Sequence, residues 1–359
     1  MKILHLAKYY WPRSGGMERV VQDLAEGAAE LGHDVHVVAV EKLLGQRGGQ
    51  RRGATMRRVL SVGALGQQEL APGYLAAAWR GADIVHLHHP HPLADVATMF
   101  RLRRTRLVIT HHGDAGHSLD RFWARRSLHR AARIVVPSKA HIALSGELRG
   151  FEEKTEVIPF GIDERRWAEV PPPSDRGPAR ALFLGRLLRW KGVDVLLRAL
   201  ALAPDLRLDI VGDGPDGPRL RTVAQAVAVS DRVRWYGSPA DEDLPRRMAE
   251  AHFLVLPSVT IEEMFGLVLL EAMASGRPII STELPSGVRE VNAPGVTGLE
   301  VPPRDPAALA AAMTELAADP ARRRAMGEAG RARVLERFTR RMMVERYLEV
   351  YEAALGRRT

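Results

Sequence analysis

The sequence predicts an α/β protein built from two doubly wound parallel-sheet domains that face a cleft. Three observations carry this expectation. Short apolar runs rich in β-branched residues recur along the chain, amphipathic segments separate them, and a proline-rich break divides the series near its middle. A length of 359 residues fits two domains better than one.

In chain order, residues 3–7, 35–40, 84–88, 107–110, 134–136 and 157–159 read as strands. Between the first two, Val20, Val21, Leu24, Ala28 and Leu31 fall on one face of a helix that Gly32 stops. Residues 45–58, rich in Gly, Gln and Arg, read as a mobile basic loop. The break follows at 171–178, where Pro171, Pro172, Pro173 and Pro178 can continue neither a helix nor a central strand. Beyond it, residues 181–184, 208–211, 233–236, 253–256 and 278–281 read as a second set of strands. From 306 to about 355 the chain reads as helical, with an interruption at Phe338-Thr339-Arg340 where Thr339 can cap the last helix. The expected domains are therefore 1–175 and 176–338, followed by a terminal helix at 339–359. In doubly wound sheets, ligands bind beyond the carboxyl ends of the strands.

Composition excludes several classes. With 0 Cys there is no disulfide framework, thiolate metal site or cysteine nucleophile, and an enzyme of a reducing, cytoplasmic compartment is expected. No apolar run is long enough to cross a bilayer, and Met1-Lys2-Ile3-Leu4-His5-Leu6 reads as a strand rather than a leader. The net charge of +9 suits a phosphate-bearing partner, although an Arg-rich composition without functional meaning fits as well. Aromatic residues make up only 6%, and no compact Lys/Arg tract carries interleaved aromatics, so no nucleic-acid partner is expected.

Three segments carry chemistry. Ser14-Gly15-Gly16-Met17-Glu18-Arg19 follows the first strand and opens a helix, where paired glycines and free N–H groups suit an anion. Gly185-Arg186-Leu187-Leu188-Arg189-Trp190-Lys191-Gly192 follows a later strand, and Arg186 and Lys191 suit a diphosphate. Residues 263–278 place Glu263 before a helix begun by Gly266 and Leu267, and Glu271 inside its apolar run, where a carboxylate needs partners such as a ribose diol. As residues alone, these segments also fit a plain strand-to-helix turn, a solvated basic loop, and a capping Glu263 with a salt-bridged Glu271.

Taken together with Gly212-Asp213-Gly214-Pro215, Val296-Thr297-Gly298-Leu299 and Val301-Pro302-Pro303, these segments resemble the family 4 glycosyltransferases. The motifs run in the family's order from one end of the chain to the other. The resemblance implies a GT-B architecture of Rossmann-like domains, with the last helix packing back on the N-terminal acceptor-binding domain. It also implies a retaining hexosyl transfer from a nucleotide-sugar donor. By resemblance, Arg186 and Lys191 hold the donor diphosphate, Glu263 contacts the hexose and Glu271 binds the ribose. The backbone at Phe265, Gly266 and Leu267 cradles sugar and phosphates, and Gly15 and Gly16 line the facing side. Thr110-His111-His112-Gly113-Asp114 resembles the family's cleft-facing histidine segment, in which His112 aligns best and His111 is the alternative. Asp114 is a candidate for orienting the acceptor hydroxyl. The nearby run His86-Leu87-His88-His89-Pro90-His91 has no clear metal-ligand spacing with a carboxylate, so neither metal nor cofactor is expected for the chemistry.

No residue stands out as the nucleophile of a double displacement, which favours front-face attack with Arg186, Lys191 and a helix N-terminus stabilising the leaving diphosphate. A GT-B epimerase or phosphorylase is the nearest rival, and the Glu263–Glu271 element argues against it. A non-catalytic nucleotide-binding or nucleic-acid-binding protein is a further alternative. The segment 283–292 resembles a branch that includes GDP-mannose enzymes of polysaccharide assembly. The acceptor is a hydroxyl, lipid-linked in many such enzymes. Arg47, Arg51, Arg52, Arg57 and Arg58, with Arg101, Arg103, Arg104 and Arg106, would then dock peripherally on an anionic inner leaflet.

Overall fold

The computed structural model describes residues 1–11, 15–41, 48–65, 68–99, 105–116, 118–174 and 177–356. Ser14, Arg47, Arg101, Arg103, Arg104, Asp175 and Arg176, singled out in the sequence, lie outside the described residues. The chain divides into two compact units, Met1–Gly161 with Arg340–Thr359, and Ile162–Thr339. The break expected at 171–178 thus begins inside the second unit. Trp167 is buried just before it, and the Pro171 carbonyl accepts a hydrogen bond from the buried Arg277 guanidinium.

The first unit runs β1 (Lys2–Leu6), α1 (Gly16–Glu30), β2 (Asp34–Glu41), β3 (Gly48–Arg51), β4 (Ala54–Leu60), β5 (Gly63–Leu65), β6 (Gln68–Leu70) and α2 (Gly73–Ala78). It continues through β7 (Ile84–His89), α3 (Pro92–Met99), β8 (Arg106–His111), α4 (Ser118–Arg130), β9 (Arg133–Val136), α5 (Lys139–Leu144) and β10 (Thr155–Val157). Among the described residues its main sheet has the order β10-β9-β8-β7-β1-β2-β4-β3. Its pairs are parallel except β3 with β4. The order reverses between β1 and β7, so the carboxyl ends of those strands flank a switch point, where such sheets bind ligands.

The mobile loop expected at 45–58 is instead, over its described part, a hairpin whose second strand pairs with β2. Ala54 and Met56 are buried on one face of β4 and Val59 on the other, while Arg57 is exposed and Arg58 pairs with an acid. Arg51 Nε lies 2.7 Å from Glu26 Oε1, and Arg58 Nε lies 3.7 Å from Glu41 Oε2.

The second unit contains α6 (Arg165–Ala168), β11 (Arg180–Leu184), α7 (Val193–Leu202), β12 (Arg207–Val211), α8 (Gly217–Ala226), β13 (Val233–Trp235), α9 (Leu244–Glu250) and β14 (Phe253–Leu256). After these come α10 (Leu267–Ala274), β15 (Ile279–Thr282), α11 (Val288–Val291), β16 (Gly298–Val301), α12 (Pro306–Ala318) and α13 (Pro320–Arg337). The sheet order is β13-β12-β11-β14-β15-β16, parallel throughout. Its switch point falls between β11 and β14. Phe183, Leu208, Ile210, Phe253 and Val255 are buried in the core beneath α7, α8 and α12.

The chain ends on α14 (Arg340–Ala354), which belongs to the first unit. Val344 packs against Gly27 of α1, where an added Cβ would come within 2.6 Å of Val344 Cγ2. Tyr347 and Tyr351 are fully buried, and their hydroxyls reach Thr110 Oγ1 at 3.0 Å and His86 Nδ1 at 2.6 Å.

Candidate active site

The second unit's switch point gathers most of the expected donor residues. β11 ends at Leu184, and the chain turns through Gly185 and Arg186 into a short helical turn at Arg189–Lys191. Gly192 then starts α7 with φ 66°, and a side chain there would overlap the Pro257 carbonyl. That contact presses the 185–192 loop onto the end of β14, and Val259 N–H donates to the Trp190 carbonyl at 2.8 Å. Across this seam Lys191 Nζ meets Glu263 Oε2 at 2.6 Å, and Ser258 Oγ donates to the same oxygen at 2.7 Å. Glu263 is buried, so the carboxylate needs both partners. Lys191 also lies 4.5 Å from the Trp190 ring centroid. Arg186 is exposed and has no side-chain partner among the described residues.

Gly266 follows with φ 78°, a left-handed residue that turns the chain into α10. No side chain caps this helix, and Leu269 N–H donates to the Gly266 carbonyl at 2.9 Å. Phe265 is buried, 6.3 Å from the Phe338 ring in an edge-on contact, and holds the turn in place. Glu271 is half-buried within α10.

The remaining expected residues belong to the first unit. Gly15 precedes α1 in an extended conformation, and its carbonyl accepts from Arg19 N–H at 3.0 Å. Gly16 opens that helix, which has no side-chain cap. His111 and His112 part company at the end of β8. His112 is half-buried in a row of imidazoles: His5 Nδ1 lies 3.1 Å from His88 Nε2, and His88 Nδ1 lies 3.2 Å from His112 Nε2. Its ring stacks on Phe160 at 5.3 Å. Burial, with His111 and His89 nearby, pushes His112 down to about 3, so it is a neutral hydrogen-bonding group.

His111 is fully buried and faces another way. Its Nε2 lies 3.3 Å from Glu147 Oε2 and its Nδ1 lies 2.8 Å from His141 Nε2. His89 Nε2 reaches the same Glu147 oxygen at 3.0 Å. Burial alone would lower His89, but Asp95 and Glu147 outweigh it and hold it up to about 9. Burial would raise Glu147, yet His111 and His89 keep its carboxyl down near 2. Asp114 accepts from Ser145 Oγ and from Gly146 N–H, so both its oxygens tie the loop after β8 to the loop after α5.

Sequence reasoning did not select Ser258, Trp190, Glu147 or Arg277. Arg277 is buried and donates to the carbonyls of Met248, Ala249, Ala251 and Ser275 as well as Pro171, which binds the ends of α9 and α10 together. Arg277 stands between Gly276 and Pro278 at the end of the segment 263–278, and nothing in the sequence marked it as buried.

The architecture matches a known class. Sucrose-phosphate synthase from Thermosynechococcus elongatus superposes with a TM-score of 0.84 at 23% identity, covering 99% of each chain. The fold is therefore that of the GT-B glycosyltransferases. Residues 14–166 match the family described as Glycosyltransferase Family 4, and residues 167–333 that described as Glycosyl transferases group 1. D-rhamnosyltransferase WbpZ of Pseudomonas aeruginosa is 31% identical over 94% of this chain and 92% of its own. O-antigen chain mannosyltransferase C of Escherichia coli is 31% identical over 99% of both. The chain belongs to the family 4 glycosyltransferases.

Proposed function

We propose that this glycosyltransferase is retaining, takes GDP-mannose as donor and transfers mannose to a hydroxyl of a growing, lipid-linked glycan at the cytoplasmic leaflet. The observation that carries the reading is the buried Lys191–Glu263–Ser258 cluster beside the exposed Arg186, at the switch point between β11 and β14. Likeness to a mannosyltransferase of O-antigen synthesis and the segment 283–292 support mannose.

In this reading Arg186 and Lys191 receive the charge that develops on the leaving diphosphate, aided by the uncapped start of α10. Glu263, bonded to Lys191 and Ser258 through Oε2, keeps Oε1 for a hexose hydroxyl. Glu271 accepts the ribose diol. His112, anchored by His88, is a neutral hydrogen-bonding group and not a cation. Attack occurs on the face that the phosphate leaves, and the departing phosphate oxygen takes the acceptor's proton. The two cations do the work of a magnesium clamp, so turnover is equal with and without added magnesium or manganese.

A panel of GDP-mannose, UDP-glucose and UDP-N-acetylglucosamine, scored by thermal shift and then by turnover, tests the donor. Stabilisation and turnover with GDP-mannose alone, giving an α-linked product by NMR, is the expected result. Selective turnover of a UDP-sugar would overturn the donor, and a β-linked product would overturn retention.

A further inference from the structure

We propose that the first unit holds a structural zinc ion between His89, His111 and Glu147, at the carboxyl ends of β7 and β8. The argument begins with convergence. Nε2 of His89 and Nε2 of His111 approach one oxygen, Glu147 Oε2, at 3.0 and 3.3 Å. The three ligand atoms lie within 4.8 Å of one another. A tetrahedral zinc with bonds of about 2.0–2.1 Å spaces its ligand atoms about 3.3 Å apart. The three side chains leave the fourth position of a tetrahedral ion to a water.

The surroundings point the same way. Zinc-bound imidazoles commonly present their second nitrogen to an acceptor that fixes ring and tautomer. His111 Nδ1 faces His141 Nε2 at 2.8 Å, and His89 Nδ1 faces Asp95 Oδ2 at 3.6 Å. Asp95 is 1% exposed, and neither of its oxygens has a hydrogen bond among the described residues. The buried carboxylates of Asp95 and Glu147 thus face these imidazoles from two sides, a mixed nitrogen and oxygen donor set that zinc accepts. Neutral imidazole and carboxylate suit zinc among the divalent metals. The ion would knit the ends of β7 and β8 to the loop that carries Glu147, and so fix the chain direction at His112. It takes no part in the donor chemistry, so this inference does not depend on the donor or the linkage.

Untagged protein from zinc-supplemented cells, exchanged into metal-free buffer, should retain one zinc per chain by mass spectrometry. The apoprotein should bind cobalt with the intense visible absorption of a tetrahedral site. Glu147→Gln and His111→Asn should lose both, and Asp95→Asn should weaken cobalt binding about 10–100-fold. His5→Asn, in the separate imidazole row, should leave the stoichiometry unchanged. A wild-type protein that retains no zinc and gives no cobalt spectrum overturns the proposal, as does a folded Glu147→Gln protein that keeps both. If the ligand variants do not fold, Asp95→Asn decides, and unchanged cobalt affinity there counts against the site.

Discussion

At the scale of single residues, the second unit's site sets a cation against a carboxylate and leaves another cation waiting. Arg186 is exposed, so its removal should not disturb folding. Arg186→Ala is expected to lower kcat by about 100- to 1,000-fold, the cost of one preorganised charge stabiliser, with an unchanged melting temperature. Glu271→Ala should weaken a free nucleoside diphosphate severalfold in calorimetry, and equal affinity would remove the ribose role. The first unit carries a different liability. Burial holds His5 near 3 and His86 well below its ordinary value. Below pH 6.5 the unfolded chain gains a proton at His5 that the folded chain refuses down to about 3, so stability falls as pH drops through that window. At pH 5.5 His5 alone should cost about 1.4 kcal/mol. Denaturant melts at pH 7.5 and 5.5 should differ more for the wild type than for His5→Asn. Legibility also divides by residue. Lys191 and Glu263 were readable because each sits in a compact motif next to a strand end. Glu147 was not, because its partners His89 and His111 come from other elements and only the sheet brings them together.

At the scale of elements, strands buried on both faces were legible as apolar runs, and β14 falls where its sequence placed it. β3 and β4 were not, because glycine and arginine fill much of them and the buried Ala54, Met56 and Val59 do not keep a period of two. β16 also escaped, since its Gly298 offers no side chain and instead lies against the Ile279 carbonyl. Close approach recurs between helices. On α13, Gly327 faces the Gly276 carbonyl, and a Cβ there would overlap that oxygen, while Gly330 fits against Met273 of α10. Alanine would gain up to about 1 kcal/mol of helix propensity. Backbone cannot give way as a flexible side chain can, and overpacking costs about 1–3 kcal/mol. Gly327→Ala is therefore expected to be destabilising in urea unfolding, and a neutral or stabilised variant would show that α13 can shift outward.

At the scale of the whole molecule, the net charge of +9 is less concentrated than the sequence suggested. Glu26 pairs with Arg51 and lies 3.6 Å from Arg52, and Glu41 lies near Arg58, while Arg52, Arg57 and Arg106 are exposed among the described basic residues of that set. At about 1 kcal/mol per basic residue near an anionic surface, docking should be weak and reversible. Co-sedimentation with anionic liposomes is expected at low salt and lost at high salt, and no binding at low salt would leave an acceptor reached from solution. No described helix is long and apolar enough to cross a membrane. The placement of α14 has a consequence for biosynthesis. Residues 1–161 of the first unit are completed over Gly27, Thr110 and His86 by Val344, Tyr347 and Tyr351 of α14. On the ribosome, those side chains appear only after the whole of the second unit has been translated. The nascent first unit must therefore wait with His86 and the α1 face around Gly27 uncovered, and it is the later-made unit that can finish folding first.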